Sequence, residues 1–246
     1  MTIGSKILYY KTLTSTNTEA LLLLKNEDLP EGTVIHTDFQ TSGKGQAGRR
    51  WESEEGKNLL LSIILYPESV MPEEQFIISV VISLGICDLL DRYHPDCKIK
   101  WPNDIYIENN KIAGILIENS VSGSTIKSSV AGIGLNINQF IFPEDIPNPT
   151  SLKLATGKEY DTATVMKELL SDLDIRYKQM LYGSWEGLRE EYITRLYMLN
   201  KWGTYKSSAR IFNGKITGVS EQGQIIIEDR KGKIEQFSFR EIHYVS

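Results

Sequence analysis

Three short stretches of this chain carry residue types and spacings able to do chemistry. The first is Gly43-Lys44-Gly45-Gln46-Ala47-Gly48-Arg49-Arg50-Trp51. Its glycines leave backbone N–H groups open, and Lys44, Arg49 and Arg50 add positive charge. Such a loop can wrap an anion, phosphate above all. The spacing satisfies G-x-G-x-x-G, a weak signal alone. A dinucleotide fold needs a helix directly after the motif, so that the pyrophosphate meets the helix N-terminus. Here the polar run Glu52–Lys57 intervenes and a strand follows. No Gly-Lys-Ser/Thr ending makes it a P-loop, and no kinase catalytic motif follows. The plainer reading is a flexible surface loop with solvated bases.

The second stretch is Lys100-Trp101-Pro102-Asn103-Asp104, followed by Lys111-Ile112-Ala113-Gly114-Ile115-Leu116-Ile117-Glu118. Pro102 lacks an N–H for a ladder and stops a strand, so Asn103 and Asp104 are expected in a turn beside the sheet. Lys111 opens an otherwise apolar strand, and Gly114 inside it suggests a close approach to the backbone. Read alone, Lys111 on an edge and Gly114 at a bulge serve as well. The third stretch is Ala131-Gly132-Ile133-Gly134-Leu135-Asn136. Alternate glycines remove two side chains from one face of a strand, where a flat ligand could lie. Tight packing against a helix is the competing explanation.

The elements expected to hold these stretches follow from periodicity and punctuation. Strands are expected over Lys6–Leu13, Thr33–Phe39 and Asn58–Tyr66, the last buried on both faces. Thr16 reads as a helix N-cap with Glu19 as its capping-box partner. A long helix opens at Pro72 and runs to about Tyr93. Strands follow at Lys98–Trp101, Ile105–Glu108, Lys111–Glu118 and Thr125–Leu135, with Asn109-Asn110 as a tight turn. Helices are expected at Ala163–Tyr182 and Trp185–Leu199. From Gly203 the chain reads as short strands broken at Asn213-Gly214, Glu221-Gln222-Gly223 and Arg230-Lys231-Gly232, the pattern of a small β-barrel. The expectation is an α+β fold with a catalytic unit over 1–198 and a small β unit over 199–246.

Composition narrows the field. The 246 residues hold 41% hydrophobic and 24% charged residues with a formal net charge of -5, an ordinary globular balance. That charge gives no general attraction for nucleic acid. No apolar run has membrane-spanning length, and the start MTIGSKILYYK lacks a signal-peptide pattern, so a cytoplasmic protein is expected. Cys87 and Cys97 are expected as two buried thiols, with no metal-ligand spacing around them.

Together the stretches resemble the catalytic domain of biotin–protein ligases, in the family's order: Ser15-Thr16-Asn17, Gln40, the glycine loop with Trp51, Lys-Trp-Pro-Asn-Asp at 100–104, Lys111 with Gly114, and Gly132–Asn136. They span about residues 15–136. The resemblance implies a mixed sheet with packed helices, like class II aminoacyl-tRNA synthetases, and a C-terminal SH3-like β-barrel. It implies biotin contacts from Ser15, Thr16, Asn17, Gln40, Gly43, Lys44, Gly45, Lys111, Gly114, Gly132 and Gly134. ATP contacts are implied for Gly48, Arg49, Arg50, Trp51, Asn103, Lys111 and Asn136. Within these, Ser15, Thr16 and Gln40 would bond the ureido head, Trp51 would pack on adenine, and Asn136 would read its edge. Lys111 and Arg49 would face the reacting groups. Many relatives carry arginines where this chain has Gln46 and Ala47, which implies weaker retention of the activated intermediate.

The implied reaction adenylates biotin with ATP and Mg²⁺, then transfers biotin to a lysine of a biotin carboxyl carrier protein. A carboxylate is already ionised, so the first step needs charge neutralisation and alignment rather than a base. Asp104 would act on the incoming amine or cap its turn. No metal-ligand set is expected from the protein, because Mg²⁺ binds mainly through the nucleotide. Longer members carry an N-terminal helix-turn-helix, and this chain is expected to act without nucleic acid or membrane. Exposed sheet edges could pair two copies as a homodimer or receive the carrier. The alternatives are a lipoate or octanoate ligase of the same fold, a non-catalytic biotin-binding module and, lower still, a nucleic-acid binder.

Overall fold

A computed structural model describes residues 2–245. Seven strands form one mixed sheet: β1 (Ile7–Leu13), β2 (Val34–Gln40), β3 (Asn58–Leu65), β4 (Cys97–Lys100), β5 (Asp104–Ile107), β6 (Asn110–Ser122) and β7 (Thr125–Asn136). Their spatial order is β1-β2-β3-β7-β6-β5-β4. Only the β1–β2 pair is parallel. Its crossover is helix α1 (Thr16–Asn26). The other helices are α2 (Phe76–Asp91), α3 (Leu152–Thr156), α4 (Thr162–Leu181) and α5 (Trp185–Thr194). The α+β expectation holds.

The two faces of the sheet differ because side chains alternate along each strand. One face presents Leu59, Leu61, Ile63, Ile133 and Leu135 to a single apolar core shared with α2 and α4. Strand β3 is buried along its whole length, as its apolar run predicts. The opposite face begins apolar, where Ile35, Ile64 and Val130 pack under Ala20 of α1. Two residues further along β3 and β7, that face changes to Ser62 and Gly132, which are register partners. Gly134 comes next, paired across to Gly114 of β6. Asn58 and Asn136 close the row. One face of the sheet is therefore covered by the main core, while the other is covered by α1 at one end and stripped of side chains at its glycines.

Several expected elements shift. Helix α1 is capped by Ser15 without a side-chain hydrogen bond, and no capping box forms. The Thr16 hydroxyl and N–H turn to Gln40 instead. The long helix starts at Phe76, because Pro72–Glu74 wind as a 3₁₀ turn. Asp104 does not sit in a turn. It opens β5, paired to Gly114. Helix α5 ends at Thr194, five residues early, because Arg195 and Tyr197 hydrogen-bond along β4 through Ile99. Cys87 and Cys97 are buried free thiols.

Residues 202–245 form a second, antiparallel sheet of β8 (Trp202–Ser207), β9 (Ile211–Val219), β10 (Ile225–Asp229), β11 (Ile234–Phe237) and β12 (Ile242–Val245). The barrel expectation fails. The order is β11-β10-β9-β8-β12, so β11 and β12 stay at opposite edges and the sheet is open. These edge strands have four residues each. Tyr205, Ile216, Ile225, Ile227 and Ile242 merge with the main core, so burial against the larger unit replaces closure.

Candidate active site

A trough of about 870 Å³ runs over the bare face of the main sheet. All but two of the site residues named from sequence line it. The exceptions are Gly43 and Gly48. Gly43 lies beneath Trp51, where a Cβ would fall 2.4 Å from the Trp51 carbonyl oxygen. Gly48 is at the loop apex with φ +78 and open space around it.

One end of the trough is a polar niche built at the start of α1. Gln40 Oε1 accepts from the Thr16 N–H at 2.8 Å and from its hydroxyl at 3.2 Å. Asn17 Nδ2 donates to the Leu116 carbonyl at 3.2 Å and to Glu118 Oε2 at 2.8 Å. Ser62 Oγ donates to Asn17 Oδ1 at 2.6 Å and lies 2.7 Å from Thr16 Oγ1. The Asn17 amide is thus fixed by its own protein. A Cβ on Gly132 would fall 2.1 Å from Asn17 Oδ1. Ser62 and Glu118 were missed as niche residues. A serine in the otherwise apolar β3 run was the available signal for Ser62. Nothing local pairs Glu118 with Asn17, 101 positions away.

Beyond the niche, Trp51 lies on the glycine floor. A Cβ on Gly134 would stand 2.3 Å from its indole, and one on Gly114 2.8 Å. The glycines of β6 and β7 thus make room for a ring of the protein. The flat group on the bare backbone is Trp51, and a ligand ring must use its exposed side. The indole Nε1 is buried without a hydrogen-bond partner. Along β7 the sequence is therefore Asn17 over Gly132, Trp51 over Gly134, then Asn136. Asn136 Nδ2 donates to the Thr150 carbonyl at 2.9 Å, while its Oδ1 is buried and unpartnered. A buried acceptor left free in a cavity wall is open to a donor from a ligand or from water. Asn103 is held differently: its amide donates to the Ile115 carbonyl at 2.9 Å, tying the 100–104 segment to β6.

The glycine loop forms an arch over this floor. Its legs meet in a Lys44–Arg50 bridge, and Gly45 N–H donates to Arg49 O at 2.8 Å. Gln46–Gly48 turn at the apex, with Ala47 at φ 59. Lys44, Arg49 and Arg50 are exposed. None of the three forms an ion pair among the described residues.

Lys111 faces the arch from β6. Its backbone is clamped by Asn148 O and Thr150 N, at 2.7 and 2.9 Å. The same short segment thereby fixes Lys111 and Asn136. Lys111 Nζ pairs with Asp104 Oδ1 at 2.6 Å and sits 5.5 Å from the Trp51 ring centroid. The C-terminal sheet also reaches the trough through Phe239, Arg240, Ile242, His243 and Tyr244. Sequence reading gave that sheet no place in the site. Nearby, burial pushes the Tyr106 hydroxyl up to about 12, and the Asp104 charge adds to the effect. Among the described residues no cluster of three His, Cys, Asp or Glu side chains could hold a metal. No helix there is long and apolar enough to cross a membrane.

A polar niche, an aromatic floor and a cationic arch on one sheet face define an enzyme that activates a small molecule through a phosphate. The chain belongs to the biotin/lipoate A/B protein ligase family, which matches residues 9–136. It is 31% identical over 241 residues to the bifunctional ligase/repressor BirA of Bacillus subtilis, covering 94% of this chain and 71% of that protein. It is 28% identical to the biotin–[acetyl-CoA-carboxylase] ligase of Paracoccus denitrificans, covering 89% of this chain and 92% of that one. In structure it is similar to the biotin protein ligase of Aquifex aeolicus solved in complex with biotin and ATP. The TM-score is 0.82 at 27% identity, over 98% of this chain and 99% of that chain.

Proposed function

We infer that this chain is a biotin–protein ligase, which adenylates biotin and transfers it to a lysine of a carrier domain. The observation that carries the reading is the ordered row on β7 beside the Lys111–Asp104 pair. A ureido head needs fixed donors and acceptors, and the Ser15–Thr16–Gln40 niche supplies them. An adenine edge needs an acceptor, and the orphaned Oδ1 of Asn136 supplies one. The relatives from Paracoccus denitrificans and Aquifex aeolicus are named as biotin ligases, which favours biotin over lipoate.

In the first step a biotin carboxylate oxygen attacks the α-phosphorus of ATP and pyrophosphate leaves. Lys111, Arg49 and the arch N–H groups neutralise the charge that gathers there. Lys44, Arg50 and the backbone of Gly43, Gly45 and Gly48 shape the arch. Trp51 stacks on the adenine, and Asn103 holds the floor. Mg²⁺ would enter with the nucleotide, bound mainly through its phosphate oxygens. In the second step the acceptor amine attacks the mixed anhydride and AMP leaves. Once phosphate takes Lys111, Asp104 is released from its 2.6 Å ion pair and becomes available to the amine proton.

The catalytic unit is assigned to residues 1–198 and the smaller β unit to residues 199–246, of which Phe239, Arg240, Ile242, His243 and Tyr244 supply lining to one end of the trough. The acceptor is the biotin carboxyl carrier domain of a carboxylase, met in the cytoplasm. The net charge of -5 favours a protein acceptor over nucleic acid. The test is mass spectrometry of a carboxylase carrier domain after incubation with this protein, biotin and MgATP. One biotin on one lysine is expected. An unmodified carrier domain, together with lipoate attached to a lipoyl domain in a parallel reaction, would reassign the substrate.

A further inference from the structure

Lys100 is a cation for which the reaction so far has no use. It ends β4, paired in register to Asp104, which is paired to Gly114, which is paired to Gly134. Register partners share a sheet face, so Lys100 stands on the same bare face as the glycine floor, one strand beyond Asp104. It lines the trough where the two sheets meet. Its ammonium is caged by tyrosines: Tyr106 at 4.7 Å and Tyr197 at 5.8 Å to the ring centroids, and Tyr244 of the C-terminal sheet at 4.9 Å. Its one hydrogen bond is to the Tyr106 hydroxyl at 3.0 Å, and it has no carboxylate partner among the described residues.

A cage of neutral rings is a poor substitute for water around an ammonium. Burial lowers the Lys100 pKa, with the Asp104 charge opposing. The charged form is thus partly desolvated and held among rings, with the Tyr106 hydroxyl as its hydrogen-bond partner among the described residues. Such a group gains more from an arriving anion than a solvated surface lysine does.

We propose that Lys100 binds the departing pyrophosphate, the β- and γ-phosphates of ATP, on the far side of Asp104 from the glycine floor. The inference rests on the ligase reading above. When a biotin carboxylate oxygen bonds to the α-phosphorus, the bond to the α–β bridging oxygen breaks and its electron pair leaves with pyrophosphate. Lys111 and the arch attend the α-phosphate, whereas Lys100 attends the charge that grows on the leaving group. The roughly in-line geometry of phosphoryl and nucleotidyl displacement puts that charge opposite the attacking carboxylate. The tyrosines aim the ammonium, and Tyr244 makes the aim depend on the C-terminal sheet.

The experiment is inhibition of biotin adenylation by magnesium pyrophosphate, run on the full chain as wild type, Lys100→Gln and Lys100→Arg. Lys100→Gln should weaken pyrophosphate inhibition about tenfold or more and raise the KM for MgATP similarly, because a charge-assisted hydrogen bond is lost. Biotin binding should stay within about twofold, and Lys100→Arg should recover most of the loss. Unaltered pyrophosphate inhibition in folded Lys100→Gln would assign the lysine to holding the two sheets together and overturn the proposal. A second measurement needs no variant. Acylation of Lys100 by acetic anhydride, followed by peptide mass spectrometry, should slow when magnesium pyrophosphate is added to wild type. Equal labelling with and without pyrophosphate would refute the site. Failure of the ligase reading is visible separately, as wild type without biotin-dependent ATP–pyrophosphate exchange.

Discussion

Arginines 92, 176 and 195 and the cations Lys44, Arg49 and Arg50 are equally charged and differently employed. Arg176 on α4 donates to Asp88 of α2 at 2.6 and 2.8 Å and to Glu191 of α5 at 2.6 and 2.7 Å. Arg92 donates to Asp172 through both terminal nitrogens, and Arg195 to Asp91 at 2.8 Å. The three arginines lace the helices together. The hydrogen bonds to Asp88 and Glu191 outweigh burial and hold the Arg176 guanidinium above its ordinary value. Among the described residues the arch cations have no carboxylate partner. A paired guanidinium has its counter-charge built in, so it serves packing. An unpaired set on a glycine-rich loop leaves its charge for something that arrives. Lys111 stands between the two cases, because its partner Asp104 lines the same trough and, in the proposed reaction, gives way to a phosphate.

The comparison breaks first at Lys111. Removing one preorganised contact to developing charge costs about 2.7–4 kcal/mol, on the order of 10²–10³ in rate. Lys111→Ala should lose that much biotin-dependent pyrophosphate release while its melting temperature stays near wild type. Normal release would remove Lys111 from the chemistry. A mutant that unfolds would instead place the lysine with the structural arginines.

Arg176→Met should behave in the opposite way. It leaves Asp88 and Glu191 facing each other without their cation. Those side chains are 25% and 35% exposed, which screens them and lowers the cost below that of a fully buried pair. A loss of about 2 kcal/mol is expected, with a melting temperature lower by about 4–8 °C. Specific activity of the folded fraction should be unchanged. Arg49→Met should do the reverse, raising the KM for MgATP about tenfold at constant melting temperature. Calorimetry and steady-state kinetics on the same two preparations decide the matter, and matching profiles for both variants would erase the distinction.

Ordering of the arch is the next consequence. A loop of unpaired cations has little to hold it when empty and several contacts to make when an anion enters. Trypsin cleavage after Lys44, Arg49 or Arg50 should slow when biotin and MgATP are added together. Equal cleavage would mean that the arch is already set.

The same contrast explains what was legible in the chain. Alternate glycines at 132 and 134 announced a bare strand face, and the polar 100–104 segment announced a site edge. Both are local patterns. The sequence also located the arch, Lys111 and Asn136. It misjudged what lies on the floor, because the approach of Trp51 to Gly114 and Gly134 depends on how the loop folds back. It missed the Thr16–Gln40 and Asn17–Glu118 contacts, which replaced the expected capping box with a polar niche. The C-terminal sheet was read as a self-contained barrel, whereas its inner face completes the core and its last strand completes the trough. Long-range pairing of this kind leaves no periodic trace.

The smallest expected effect lies at the arch apex. Gln46 lines the trough, and its Oε1 is buried without a hydrogen-bond partner. A neutral amide there gives less hold on a phosphate-bearing intermediate than a guanidinium, which offers charge and paired donors. Gln46→Arg should slow the escape of biotinyl-adenylate from the enzyme about fivefold, the effect of roughly 1 kcal/mol from one partly exposed charge contact. Release can be followed by rapid filtration of enzyme preloaded with radiolabelled biotin and ATP. Identical dissociation rates would show that retention is set by Arg49 and Lys111 alone. A slower rate would mean that the wild-type arch holds its intermediate loosely by composition, so carrier biotinylation must outrun leakage.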